Sequence, residues 1–141
     1  MPEPPSLDLE SLSALTIHGT LGIEAVELSP ERVVLRMPVT ARVHQPYGIL
    51  HGGVSALLAE SAASYGAGIA VGPDRVVIGI ELNASHLRPV SEGTVTATAT
   101  PVRKGRSVHV WEIAITDSEG REVCRARCTL AVRDRPPARP D

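Results

Sequence analysis

Apolar and polar residues change rhythm twice along this chain. Residues 1–6 are Pro-rich and are expected to be loose. From Leu7 to Leu15 the apolar positions are 7, 9, 12, 14 and 15, which predicts a short amphipathic helix that Gly19–Gly22 breaks. Ile23–Leu28 alternates and predicts a strand, Ser29-Pro30-Glu31 a turn, and Arg32–Val39 a second strand ending near Pro38. Thr40–Leu50 reads as a loop. It runs into a stretch with small or apolar residues on every face, a helix that Gly52 and Gly53 begin and that ends near Gly66 or Gly68. Beyond Gly72-Pro73-Asp74 the period shortens. Val76–Leu82, Thr94–Val102, Ser107–Thr116 and Glu122–Val132 read as strands, with a strong turn at Asp117–Gly120. From Arg133 onward a disordered tail is expected.

Strands in series with short turns suggest an antiparallel meander, so the class is α+β: one antiparallel sheet around one long buried helix. Residues 1–141 read as a single domain, without repeats or a linker. The outer sheet face and the edge strands still need cover, which favours pairing with a second copy.

One residue conflicts with that helix. Glu60 is the only charged side chain in it, with no Lys or Arg one turn away. A buried carboxylate is costly unless it is hydrogen-bonded, neutralised or used.

Composition narrows the classes. The chain is 43% hydrophobic and 21% charged with a formal net charge of −2, which fits a globular protein and argues against a general nucleic-acid binder. No apolar run is read as a membrane span, and Met1-Pro2-Glu3-Pro4-Pro5 lacks the basic and apolar regions of a secretory signal, so a cytoplasmic protein is expected. Cys124 and Cys128 fall on one strand face ~13 Å apart, too far for a mutual disulfide, and read as small buried hydrophobes. No spacing resembles a zinc or haem site.

The stretch Gln45–Ser64, with His51-Gly52-Gly53 followed by Glu60, resembles the hotdog-fold thioesterases. The nearest group holds the phenylacetate-pathway, Arthrobacter-type 4-hydroxybenzoyl-CoA, menaquinone-pathway and enterobactin-pathway enzymes. The resemblance runs on through Val77–Arg88 and Gly105–Trp111 to the final strand. It implies a homodimer with a continuous sheet, usually paired into a tetramer, with active sites at the dimer interface. The implied reaction is hydrolysis of an acyl-CoA to a carboxylate and free CoA, with no cofactor beyond the CoA of substrate and product.

The chemistry then distributes over named residues. Glu60 is the candidate base or nucleophile. The Gly52 N–H, at a helix N-terminus, is assigned by the resemblance as oxyanion donor. The resemblance also implies that His51 holds the thioester or orients the loop, that Gln45 offers a neutral amide near the carbonyl, and that Ser64, one turn after Glu60, positions water or the carboxylate. For CoA the candidates are Arg88, Arg103, Lys104, Arg106 and Ser107. Asn83 and His86 are expected to line the site from the neighbouring subunit. Phe is absent, so the acyl pocket is expected to be mainly aliphatic. Two other readings compete. A hotdog hydratase or dehydratase would carry a His-Phe-Pro-Gly loop where this chain has Leu50-His51-Gly52-Gly53. A non-catalytic acyl-CoA sensor could dispense with Glu60 and would normally be tied to a DNA-binding segment.

Overall fold

The computed structural model describes residues 15–137; the expected helix at 7–15 falls almost wholly outside that range, as do residues 1–6 and 138–141. The described chain holds one six-stranded antiparallel sheet and one long helix. A short helix α1 (Ile17–Leu21) precedes strands β1 (Glu24–Leu28) and β2 (Val33–Pro38). The long helix α2 (Gly52–Val71) follows, then β3 (Arg75–His86), β4 (Thr94–Lys104), β5 (Val108–Thr116) and β6 (Glu122–Asp134). α1 occupies the stretch where Gly19–Gly22 was expected to break the chain. Thr16 caps its start by accepting from the His18 N–H, and Gly22 closes it at φ +69°.

The order across the sheet is β1-β2-β4-β5-β6-β3. The expected meander therefore holds only for β4, β5 and β6. The β2-to-β3 connection carries α2 across one face and sets β3 at the far edge. The return from His86 to Thr94 crosses back toward β2, past the N-terminus of α2. The tail is ordered further than expected. Arg133 and Asp134 complete β6, and the Arg135 N–H donates to the Asp74 carbonyl at 3.0 Å.

Alternation explains the core. Val95, Ala97 and Ala99 of β4, Trp111, Ile113 and Ile115 of β5, and Cys124, Ala126, Cys128 and Leu130 of β6 point inward and are buried. Both cysteines are free thiols on that inner face, as expected. α2 meets this surface through Ser55, Leu58, Ala59, Ala62, Ala63, Gly66 and Ala67, a stripe at helical spacing and mostly of small residues. By length and mean hydropathy alone α2 is apolar enough to cross a membrane, contrary to the reading that no run qualifies; here it lies on the sheet as the core helix. Its glycines do not end it. A Cβ on Gly66 would lie 2.4 Å from the Trp111 ring, so this glycine admits the indole that locks helix to sheet.

The helix is not buried all round. The sheet covers one stripe, and Glu60 and Ile69 stand exposed in the single chain. On the outer side the His18 ring bridges Ser61 Oγ (2.8 Å) and Tyr65 Oη (2.7 Å), and burial there holds the imidazole below its ordinary range.

The Trp111–Gly66 contact sets a stability test. Gly66→Ala is expected to destabilise the fold by about 1–3 kcal/mol through overpacking, read as a lower urea midpoint at unchanged m-value. A variant as stable as the native chain would show that the indole can move aside.

Candidate active site

The N-terminus of α2 opens on a cleft of about 370 Å³. Gln45, Ile49, Leu50, Gly52 and Ser55 line one side; His86, Leu87, Arg88, Pro89, Val90 and Val123 line the other. Apart from its few polar groups the lining is aliphatic, as expected from a chain without Phe. Tyr47 is 90% exposed and takes no part in it.

The loop that carries Gln45 is tight. The Gln45 N–H donates to the Ile49 carbonyl at 2.8 Å, and Gly48 turns the chain at φ +78°. The Gln45 side-chain oxygen accepts from the Tyr47 N–H, which leaves the amide NH₂ as a donor. The first turn of α2 then settles its own N–H groups one by one. The His51 N–H goes to the Val43 carbonyl at 2.9 Å, and those of Val54 and Ser55 go to the His51 carbonyl. His51 is the N-cap: its Nδ1 accepts from the Gly53 N–H at 2.8 Å. An accepting Nδ1 puts the proton of the neutral ring on Nε2. The Gly52 N–H alone in this turn has no partner among the described residues. It lies at the positive, N-terminal end of the helix dipole, so it is poised to meet negative charge on a carbonyl oxygen.

The His86 ring packs directly on Gly52; a Cβ there would lie 2.8 Å from Nε2. That placement follows from a β-bulge. The β3–β6 register slips by one residue between Gly79 and Glu81. Before the bulge Val77 and Gly79 face α2; after it Leu82, Ala84 and His86 do. Asn83 falls on the opposite face and donates to Glu81 at 3.1 Å, away from the cleft. Within one chain, then, His86 lines this cleft and Asn83 does not.

Glu60 is exposed, so the expectation of a carboxylate sunk in an apolar helix does not hold in one chain. Its carboxylate lies on β3 at Gly79 and over Cys128, whose thiol is pushed up to about 12 by burial and then by the Glu60 and Glu81 charges. Two turns of helix, ~12 Å, separate it from Gly52. Ser64 follows one turn later, half-buried.

The basic turn is not part of the cleft in one chain. Lys104 is held by Glu31 and by the Pro30 carbonyl, so its charge is already compensated. Arg103, Arg106 and Ser107 are exposed. Through the β5 and β6 ladders this turn is level with Gly79, seven residues (~23 Å) along β3 from His86. Of the CoA candidates the structure brings only Arg88 to this chain's cleft, where His86 also stands. Ser55, buried and lining the cleft, was not singled out from sequence, because it reads there as one more small residue of the helix stripe.

A family model described as "Thioesterase superfamily" matches residues 47–124, more than half of the chain. The chain belongs to the thioesterase superfamily. The span covers α2 and the bulged strand together with the cleft between them. Among its relatives, 1,4-dihydroxy-2-naphthoyl-CoA hydrolase of Listeria monocytogenes is 49% identical over 117 residues, covering 83% of this chain and 95% of that protein. The proofreading thioesterase EntH of Cronobacter turicensis is 42% identical over 130 residues, covering 89% and 94%. A solved thioesterase from Haemophilus influenzae superposes with a TM-score of 0.86 at 39% identity, covering 94% of this chain and 93% of that one. The α+β hotdog architecture expected from the sequence is thus the one this thioesterase adopts.

His51 as the cap of α2 gives a direct test. His51→Ala is expected to cost about 1 kcal/mol of stability, and His51→Asn, which keeps a short acceptor, to restore most of it. Urea denaturation of the three chains decides; equal midpoints for Ala and native would refute the cap.

Proposed function

We propose that this thioesterase hydrolyses an acyl-CoA to a carboxylate and free CoA at a site built from two copies of the chain. One observation carries the proposal: the unclaimed Gly52 N–H opens on an aliphatic cleft, while the carboxylate of the same helix lies two turns away. A thioester carbonyl needs its oxyanion donor and its base or nucleophile within hydrogen-bonding reach of one carbon. A separation of ~12 Å along one helix cannot provide that. A second copy can.

β3 is an edge strand, and its Ile78 and Ile80 are 55% and 60% exposed. Pairing β3 with the same strand of a second chain about a two-fold axis continues the sheet and satisfies the edge backbone, and the outward Ile78 and Ile80 join an outer face that pairing into a tetramer would cover. The two α2 helices then run in opposite directions, so the Gly52 end of one approaches Glu60 of the other. The same pairing carries Arg103 and Arg106 toward the cleft of the second chain, where Arg88 already stands. These arginines are proposed to hold the CoA phosphates; Lys104, tied to Glu31, contributes less.

In this reading the Gly52 N–H and the Gln45 amide hold the thioester oxygen as charge develops on it. His51 fixes the loop by capping the helix. Glu60 of the second chain, with Ser64 beside it, either takes a proton from a water that attacks the carbonyl carbon, or attacks that carbon itself to form an anhydride that water then hydrolyses; in both routes the C–S bond breaks and CoA leaves as thiol with a proton supplied by that water. The chain's own groups carry the reaction without a resident cofactor. One relative is named for an aromatic acyl-CoA and another for proofreading; the mainly aliphatic cleft favours a short- to medium-chain acyl group over an aromatic one, and both stay in the proposed range. A cytoplasmic homodimer, pairing into a tetramer, is the proposed form.

Thiol release from a panel of aromatic, short-chain and medium-chain acyl-CoAs tests the proposal. The native protein is expected to turn over at least one class. Glu60→Ala, with its fold intact, is expected to lose about 10²–10⁴-fold in kcat. Binding of CoA esters without turnover would favour a sensor instead, and a fully active Glu60→Ala would make the carboxylate structural.

A further inference from the structure

Glu60 makes no ion pair and no side-chain hydrogen bond among the described residues, so something else must fix its direction. The β3 backbone does. A Cβ built on Gly79 would lie 2.2 Å from Glu60 Oε1, 3.0 Å from its Cδ and 3.3 Å from its Cγ; these are the three nearest atoms. The position is otherwise ordinary strand, because Gly79 is not among the glycines with positive φ. Alanine would suit the backbone there. What a Cβ there would displace is the carboxylate, the far end of a flexible side chain.

The bulge makes this seat. Gly79 is the last residue of β3 to face α2 before the register slips, and Glu81 resumes the pairing with β6 on the far side. Ile80, the extra residue, points away and is exposed. Two consecutive residues therefore leave the inner face at the level where Glu60 comes down on the sheet. A regular strand would present a side chain at or next to that point. Cys128, buried on β6 beneath, closes the floor with a small thiol.

We infer that Gly79, at the β3 bulge, is a positioning residue for Glu60: its bare backbone is the surface on which the carboxylate rests and by which its oxygens are aimed. The inference depends on Glu60 acting in the reaction as proposed above. A displaced carboxylate should react poorly even where substrate still binds, because a misplacement of ~1 Å can cost ~10²-fold. The effect should fall on kcat, with KM nearly unchanged.

A double-mutant cycle tests it. Gly79→Ala is expected to lower kcat about 10²-fold with KM within a few-fold of native and with unchanged oligomer size. Glu60→Asp is expected to lower kcat on its own. Asp is one methylene shorter and vacates the space a Cβ would take, so in the Asp background Gly79→Ala should cost little. The double variant should be no slower than Glu60→Asp by more than a few-fold. Stability provides a second readout that does not need activity. Gly79→Ala should leave the urea midpoint nearly unchanged, because the exposed carboxylate can swing aside, so that a loss of kcat reports a displaced carboxylate and not a damaged fold; a large drop in midpoint would overturn the inference. Native kcat in Gly79→Ala, or losses that simply multiply, would overturn the inference while the role of Glu60 stood. Native kcat in Glu60→Ala would instead remove the reading on which it rests.

Discussion

How closely α2 can approach the sheet decides nearly everything else in this protein. The fully buried stripe of the helix is alanine, glycine and serine with Leu58 as its one large residue, and Val54, Leu57 and Tyr65 pack beside it partly buried. Trp111 stands directly against Gly66, and the inner strand residues facing the helix include Ala97, Ala99 and Ala126. Small residues on both sides bring the backbones near each other. That closeness lets a glutamate side chain reach the β3 backbone at Gly79 and lets the His86 ring lie on Gly52. A bulkier interface would lift the helix and separate both contacts.

The same geometry puts the two proposed reacting groups about two turns apart on one rigid element. The N-terminus of α2 presents a free backbone donor in a cleft, and the middle presents a carboxylate on the opposite approach. Helix stiffness makes these positions precise and also keeps them apart. In the proposed reading such a chain works on one carbonyl only in partnership, and the β3 edge is the place proposed for it. Catalytic geometry and assembly are then one requirement, since the strand that seats Glu60 is the strand proposed to pair.

Much of this was legible in the residue pattern. His51-Gly52-Gly53 before an Ala-rich run marks a helix N-terminus, and that is where α2 begins. The alternation of Thr94–Val102 and Ser107–Thr116 gave strands whose inner faces are the core. The helix end was misplaced because propensity counts Gly66 and Gly68 as breakers, whereas Trp111 needs one of them inside the helix. The parity of β3 could not be read past the bulge, which shifts the inward positions from odd to even and so exchanges Asn83 for His86 at the cleft. Glu60 was expected to be buried because its helix is apolar all round. The sheet covers only one stripe, and the apolar remainder is surface in a single chain. The hold of Glu31 on Lys104 depends on residues far apart in sequence, which no local pattern reveals.

Subunit mixing tests the shared site most directly. Chains carrying Gln45→Ala and chains carrying Glu60→Ala would be unfolded together, refolded and assayed for thiol release from the best acyl-CoA of the native protein. In a mixed dimer one site joins an intact Gln45 and Gly52 to an intact Glu60 from the other chain. The refolded mixture is therefore expected to recover roughly a quarter of native activity, with half the dimers mixed. A mixture no more active than the average of its two parents would contradict a site shared between chains.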